Sequence, residues 1–277
     1  KDVANAAGVS TATVSRVLQN EPTVKPKTRD KVLAAINKLN YKPNILARQM
    51  RTQKTHSVIV TVPDIRNTFF SEVIFGIEQS ADKYNYQILL ADMYGQPNAE
   101  KYYFQVIQQH QVDGIISLSA SVARNLMEQV AEEYPIVVAC QFLEKSNVPY
   151  VTIDNVHAAE TITTHLIKLG HKKIAYISGN LDMLLYRDRY NGYISALEKH
   201  NLPFDPKLVR YGNSSIQSGY DNMKELLEID SSITAVFAAG DAMAIGAIKA
   251  LSNFGLRVPE DCAVAGFDDI EISEYYR

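Results

Sequence analysis

The 277-residue chain is poor in the features that enzymes and membrane proteins need. Its two cysteines, Cys140 and Cys262, lie far apart, each in an apolar run; they are expected as buried reduced thiols, not as a disulfide or a metal pair. No apolar stretch approaches the ~20 residues that span a bilayer. The N-terminus also lacks a signal-peptide core, so a cytoplasmic location is expected. There is no GxGxxG after the first strand-like run, no GxxxxGK[ST] and no GxSxG nucleophile elbow. No pair of carboxylates has a spacing that demands acid–base work, and His165 and His171 read as helix-surface and helix-end residues. No enzyme activity, cofactor or metal is therefore expected.

What the chain does have is enough apolar residue, 46% against 21% charged, to bury a core, and a length that suggests about two domains. Its charge is unevenly spread. The formal total is only −3, yet residues 1–57 hold eleven Lys and Arg against Asp2, Glu21 and Asp30, so that this stretch carries +8 and the remainder −11. A basic head on an acidic body points to a polyanion partner for the head alone.

The head reads as three helices. Residues 2–7 form a short run with Val3, Ala6 and Ala7 on one face, stopped by Gly8. Ser10 can cap a second helix over 11–18, with Val14, Val17 and Leu18 at inward spacing. This is a helix-turn-helix pattern. It leaves Thr11, Ala12, Ser15 and Arg16 facing outward near the end of a recognition helix that meets base edges in the major groove. Arg16 taken alone is an ordinary surface charge; in this frame it is a base contact. A third helix is predicted over 26–39, with Pro26 at its first position, Val32, Leu33, Ile36 and Leu39 as its buried stripe, and Lys27, Arg29 and Lys31 on a solvated face. Asn44 can cap a brief helix over 45–51 carrying Arg48, Met50 and Arg51, too short to be stable alone and expected to order on binding.

From Ser57 the pattern alternates. Strands are predicted at 57–62, 86–91, 114–119, 136–140 and 151–154, then at 173–178, 208–212, 235–240 and 262–267, with helical runs between them. Such alternation predicts parallel sheets covered by helices on both faces, and two series predict two lobes. Ligands of open parallel sheets bind outside the carboxyl ends of the strands. The loops there carry Asp64, Phe69, Phe70, Ser119, Asp154 and Asn155 in the first lobe. In the second they carry Arg187, Arg189, Ser214, Asp241, Asp268 and Asp269. Aromatic rings, arginines and scattered carboxylates suit a neutral polyhydroxylated ligand, a sugar or a nucleoside.

The strings DVANAAGVSTATVSRVL, VKPKTRDKVLAAINKLNYKPN and ILARQMR closely resemble the DNA-binding head and hinge of the lactose/galactose-repressor (LacI/GalR) family of bacterial transcription regulators. The resemblance continues through VPD with FFSEVIFGIE, VTIDN with LGHKKIAYISG, RDRYNGY, GDAMAIGAIKAL and GLRVPEDCAVAGFDD; PDI before FFSE, and RY before NGY, look most like the cytidine and purine repressors. It implies a small all-α helix-turn-helix head over 1–43, a hinge over 44–56, and a two-lobed α/β effector-binding and dimerisation body of the type I periplasmic-binding-protein fold over 57–277. It implies that Thr11, Ala12 and Arg16 read bases, that Ser10, Thr13, Asn20, Thr23 and Tyr41 hold phosphates, and that Met50 wedges into the minor groove where relatives have leucine. In the body it implies an effector pocket at Phe69, Phe70, Arg189 and Asp268, with Asp241, Ser119 and Asn155 beside them. Two departures stand out: Lys25 occupies a cap position usually held by serine, and Ser214 stands where several members place a large aromatic residue. The expected partners are operator DNA, a sugar or nucleoside (nucleobase) effector and a second copy of the chain, with repression as the expected outcome. Because the sequence starts without methionine and stops at Arg277 after an apparent strand and turn, part of the first lobe is expected beyond it.

Overall fold

Gly8 closes the first helix from the left-handed region, φ 65°, a conformation glycine adopts at no steric cost, and its N–H turns back to the carbonyls of Ala4 and Asn5. The structure, a computed structural model, describes residues 1–18, 20–41, 49, 52, 54–94, 99–119 and 124–276. It divides into two compact units, Lys1–Lys54 and Thr55–Arg277.

In the first unit, α1 (Asp2–Ala7), α2 (Thr11–Leu18) and α3 (Pro26–Lys38) enclose one small core of Val3, Ala4, Ala7, Val14, Val17, Val32 and Ala35. Ser10 caps α2 as expected, its Oγ accepting from the Thr13 N–H at 3.1 Å. Helix α3 starts on Pro26 after Lys25, which makes no side-chain cap bond. Several apolar residues expected inside are exposed: Ala6, Leu18, Leu33 and Leu39. The reason is angular. Successive helical residues turn by about 100°, so Ala4 and Ala35 fall on the inward stripes of α1 and α3 and Ala6 and Leu33 beside them. Leu39 lies past the last helical residue. Arg29 is also not part of a solvated row, because its guanidinium donates to Asn20 Oδ1 at 2.9 Å and to the Glu21 carbonyl at 2.7 Å and so ties down the loop between α2 and α3. The expected hinge helix, with Asn44, Met50 and Arg51, lies outside the described residues.

The second unit contains β1 (Ser57–Val62), α4 (Phe69–Lys83), β2 (Gln87–Asp92), α5 (Ala99–Gln108), β3 (Gly114–Ser117), α6 (Arg124–Ala131), β4 (Ile136–Ala139) and β5 (Tyr150–Val151). It continues with α7 (Asn155–Lys168), β6 (Ile174–Ser178), α8 (Leu184–Lys199), β7 (Val209–Tyr211), α9 (Ile216–Ile229), β8 (Ala235–Ala238), α10 (Asp241–Asn253) and β9 (Ala263–Ala265). The strands form two parallel sheets, ordered β2-β1-β3-β4-β5 and β7-β6-β8-β9, one per lobe. The two lobes predicted from the alternating pattern are therefore present. In each sheet the order reverses at one place, between β1 and β3 and between β6 and β8, and such a reversal opens a crevice at the carboxyl ends of the strands.

Strands β6 and β8 are buried along their whole length, which is why IAYIS and AVFA are nearly unbroken apolar runs. Tyr176, Phe237, Leu226, Met243 and Leu251 fill the core around them. The first lobe keeps two smaller cores on opposite faces of its sheet, one around Ile107, Ile115 and Val138, the other around Val60, Val62, Phe70 and Leu118. Element limits differ from the expectation in two instructive places. The strand expected over 151–154 stops at Val151, because Asp154 turns to cap α7, its Oδ1 accepting from the His157 N–H at 2.9 Å. Helix α7 packs Ala159 and Leu166 into the second lobe's core, so Asp154 and Asn155, expected on the first lobe, belong to the second. Helix α8, expected from 189, already begins at Leu184. Among the described residues no helix is long and apolar enough to cross a membrane.

Candidate DNA-reading face and effector cleft

In the head, Thr11, Ala12 and Arg16 are exposed on α2, and Ser15 is half-buried beside them. The Arg16 Nε lies 3.8 Å from Glu21 Oε2, a loose, solvent-exposed pairing worth little and easily given up to another partner. Ser10 and Thr13 sit together at the helix start, their hydroxyls 2.9 Å apart, at the positive end of the α2 dipole where anions are favoured. Asn20 is in the left-handed region, φ 54°, and holds Arg29; Thr23 donates to Glu21 Oε2 at 3.3 Å; Tyr41 is exposed.

In the body, among the described residues, the polar groups at the crevice come from the second lobe. Arg189 projects from α8 over the carboxyl ends of the strands and is only 6% exposed. Its Nε donates to Asn155 Oδ1 at 2.9 Å, its Nη1 to the Ala239 carbonyl at 2.7 Å and to Asp268 Oδ1 at 3.2 Å. The guanidinium carbon stands 3.5 Å from the centre of the Phe267 ring, a cation–π contact strengthened by the lack of water. Burial pushes the Asp268 carboxyl up to about 6, against the pull of Arg189 and with the repulsion of Asp241. Asp268 and Asp269 both have positive φ, 104° and 54°, so the chain is held in a strained turn at the point where the carboxylate enters the crevice.

Asp241 braces that turn. As the first residue of α10 it donates its N–H to the Phe267 carbonyl at 2.8 Å and accepts from the Ile270 N–H at 2.9 Å. Gly266 must be glycine here, since a Cβ would run into the Asp241 carboxylate. Asp241 is thus placed as a support for Asp268. Ser214, φ 64°, shares a hydrogen bond with the Tyr186 phenol. Arg187 turns to the other lobe, its Nη2 3.2 Å from Glu144 Oε2.

Among the described residues the first lobe contributes a mostly apolar wall. Phe69 lines a cavity of about 1000 Å³ that also reaches Cys140, Asn155, Arg189, Phe267 and Asp268 and runs on along the sheet. Phe70 packs into the lobe's core instead, its ring edge-on to Phe69 at 5.2 Å. Ser119 is buried behind the wall, its carbonyl accepting from the Ser117 hydroxyl at 2.6 Å. Cys140 is half-buried and Cys262 buried; burial pushes their thiols up to about 11 and about 12, so neither is a ready nucleophile. Among the described residues no group of three or more His, Cys, Asp or Glu could hold a metal ion. Sequence reasoning missed Phe267 and the Ala239 carbonyl. The first was readable as the residue before Asp268; the second is backbone and carries no side-chain signal.

A helix-turn-helix head joined in one chain to a two-lobed parallel α/β body with a polar cluster at its crevice defines the class of ligand-controlled DNA-binding regulators. The model for bacterial regulatory proteins of the lacI family matches residues 1–44, and that for periplasmic binding proteins and the sugar-binding domain of the LacI family matches residues 55–273. The chain is 38% identical to catabolite control protein A of Priestia megaterium, over 100% of this chain and 84% of that protein. It is 36% identical to the HTH-type transcriptional repressor CytR of Escherichia coli K12, over 99% and 81% respectively. The crystal structure of the lac repressor dimer bound to operator and the anti-inducer ONPF superposes with a TM-score of 0.86 at 28% identity, covering 99% of this chain and 83% of that one. The chain belongs to the LacI family: it is a transcriptional regulator and not an enzyme.

Proposed function

We propose that this protein represses transcription as a cytoplasmic homodimer whose operator affinity is set by a neutral sugar or nucleoside bound between the lobes. The observation that carries the effector reading is the paired, buried Arg189–Asp268 couple at the crevice of the second lobe, facing an apolar cavity. The couple is close to neutral overall, which disfavours a charged ligand. Its free guanidinium and carboxylate edges match vicinal hydroxyls, which both donate and accept. Asn155, Phe69 and Phe267 complete this site, Asp241 supports it, and Phe70, Ser119 and Ser214 shape its surroundings.

In the head, Thr11, Ala12 and Arg16 contact base edges with Ser15 beside them, and Ser10, Thr13, Asn20, Thr23 and Tyr41 contact phosphates. Residues 44–56 act as the hinge, with Arg51 adding charge and Met50 as the wedge. The effector changes operator affinity only through its different affinities for the open and closed lobes. Thermal-shift measurements against a panel of sugars and nucleosides test the effector class, because a ligand selective for the native state raises its stability by mass action. A stabilising sugar or nucleoside that also changes operator binding is the expected result. If only charged metabolites stabilise the protein, the neutral-ligand reading fails.

A further inference from the structure

Arg187 was expected among the effector contacts, yet its charge is spent on the opposite lobe. It stands in the first turn of α8, two residues before the fully anchored Arg189. Glu144 lies in the loop after β4, and that loop is fixed to the first lobe on both sides by buried Leu143 and Val148. It is fixed as well by Arg124, whose guanidinium donates to the Glu144 carbonyl. The pair therefore joins two segments that are each already rigid, so little chain entropy is lost when it forms. Among the described residues it is the one ion pair that links the two lobes.

The charges around it make the contact conditional. Asp188, next to Arg187, has its carboxyl raised by burial and by the nearby charges of Glu144 and Asp154, with Arg187 acting in the opposite direction. Asp154 and Asp188 belong to the second lobe and Glu144 to the first, so without Arg187 like charges face each other across the mouth of the cleft. We propose that Arg187 and Glu144 form an inter-lobe latch that holds the cleft closed in the absence of ligand, and that Arg187 is not an effector contact. The latch regulates the site assigned above and rests on that assignment, but it can be tested without any ligand. It sets the fraction of molecules in the closed state, and that fraction scales the apparent affinity of any ligand that prefers one state.

Amide hydrogen exchange of the ligand-free full chain reads the latch directly, in the segments 141–149 and 179–188. Arg187→Gln is expected to raise exchange in both segments by about two- to fivefold, as for the loss of an exposed pair. Glu144→Gln is expected to raise it less, because it removes the repulsion together with the attraction. The reversed pair, Arg187→Glu with Glu144→Arg, should return exchange to the original rate, and 1 M salt should move the unaltered protein toward Arg187→Gln. Both side chains are about half exposed, so folding is not at risk and a thermal unfolding curve checks it. Unchanged exchange in Arg187→Gln overturns the latch, and so does a reversed pair that exchanges like Arg187→Gln. If the latch is seen but no sugar or nucleoside binds, the effector reading fails and the latch stands.

Discussion

The two lobes of the body share one winding pattern but differ in what they place at the cleft. In the second lobe β6 and β8 are buried throughout, and its crevice holds Arg189, Asn155 and Asp268 in a hydrogen-bonded set braced by Asp241. In the first lobe the hydroxyls at the strand ends are tied to one another, Thr61 donating to Ser117 at 2.9 Å, while Phe69 and an apolar groove face the cavity. Its edge strand β2 leaves Leu89 and Leu90 about half exposed. The difference shows where orientation comes from. Among the described residues, the hydrogen-bonded polar set is mounted on the lobe with the continuous core, and the first lobe brings Phe69 to it.

Breaking the polar side should therefore cost far more than trimming the apolar one. Arg189→Ala leaves Asp268 buried without its cation, which is expected to lower stability by about 3 to 5 kcal/mol and to remove effector binding; thermal unfolding and ligand titration check both. If Arg189→Ala costs no more than Phe69→Ala, the division of labour is wrong.

The Asp268 carboxyl sharpens the comparison through pH. Its folded value, about 6, lies above the ordinary 3.8, so the folded chain holds this proton more tightly than the unfolded one. Its contribution to stability is full below pH 4 and falls by about 3 kcal/mol as the pH rises through 6. Effector affinity runs the other way, since a protonated Asp268 loses its pairing with Arg189. Affinity should drop about tenfold per unit below pH 6 in the original protein and should be low and flat with pH in Asp268→Asn.

In the head, Arg16→Ala should lower the ratio of operator to non-specific binding by about 1 to 3 kcal/mol, measured at fixed salt, and leave effector affinity untouched. The smallest effect is expected from Phe69→Ala, about 1 kcal/mol in effector affinity with the Asp268 pH dependence retained.

Much of this architecture was legible in the chain. Parallel strands buried on both faces are bare apolar runs, and IAYIS and AVFA could hardly be anything else. The helix-turn-helix was marked by Gly8, by the cap at Ser10 and by helical spacing. What failed was the choice among apolar residues on one helix: Leu33 looked a better core residue than Ala35, but direction, not size, decides burial. The polar cluster at the crevice was readable as far as post-strand loops could be found, which gave Arg189, Asp268 and Asn155. It was not readable where a role depends on a distant partner. Arg187 and Asp241 carry the right chemistry for a ligand, yet Glu144 and the Ile270 N–H take up their polar groups, and nothing local in the sequence announces either pairing.

The most direct test of the account is operator affinity at physiological salt, measured by fluorescence anisotropy with and without the sugar or nucleoside that most stabilises the protein, for the original chain and for Arg189→Ala. A shift of about 5- to 150-fold is expected in the original chain and none in Arg189→Ala, whose ligand-free operator affinity should stay near the original. An equal shift in both proteins, or none in either, would contradict it.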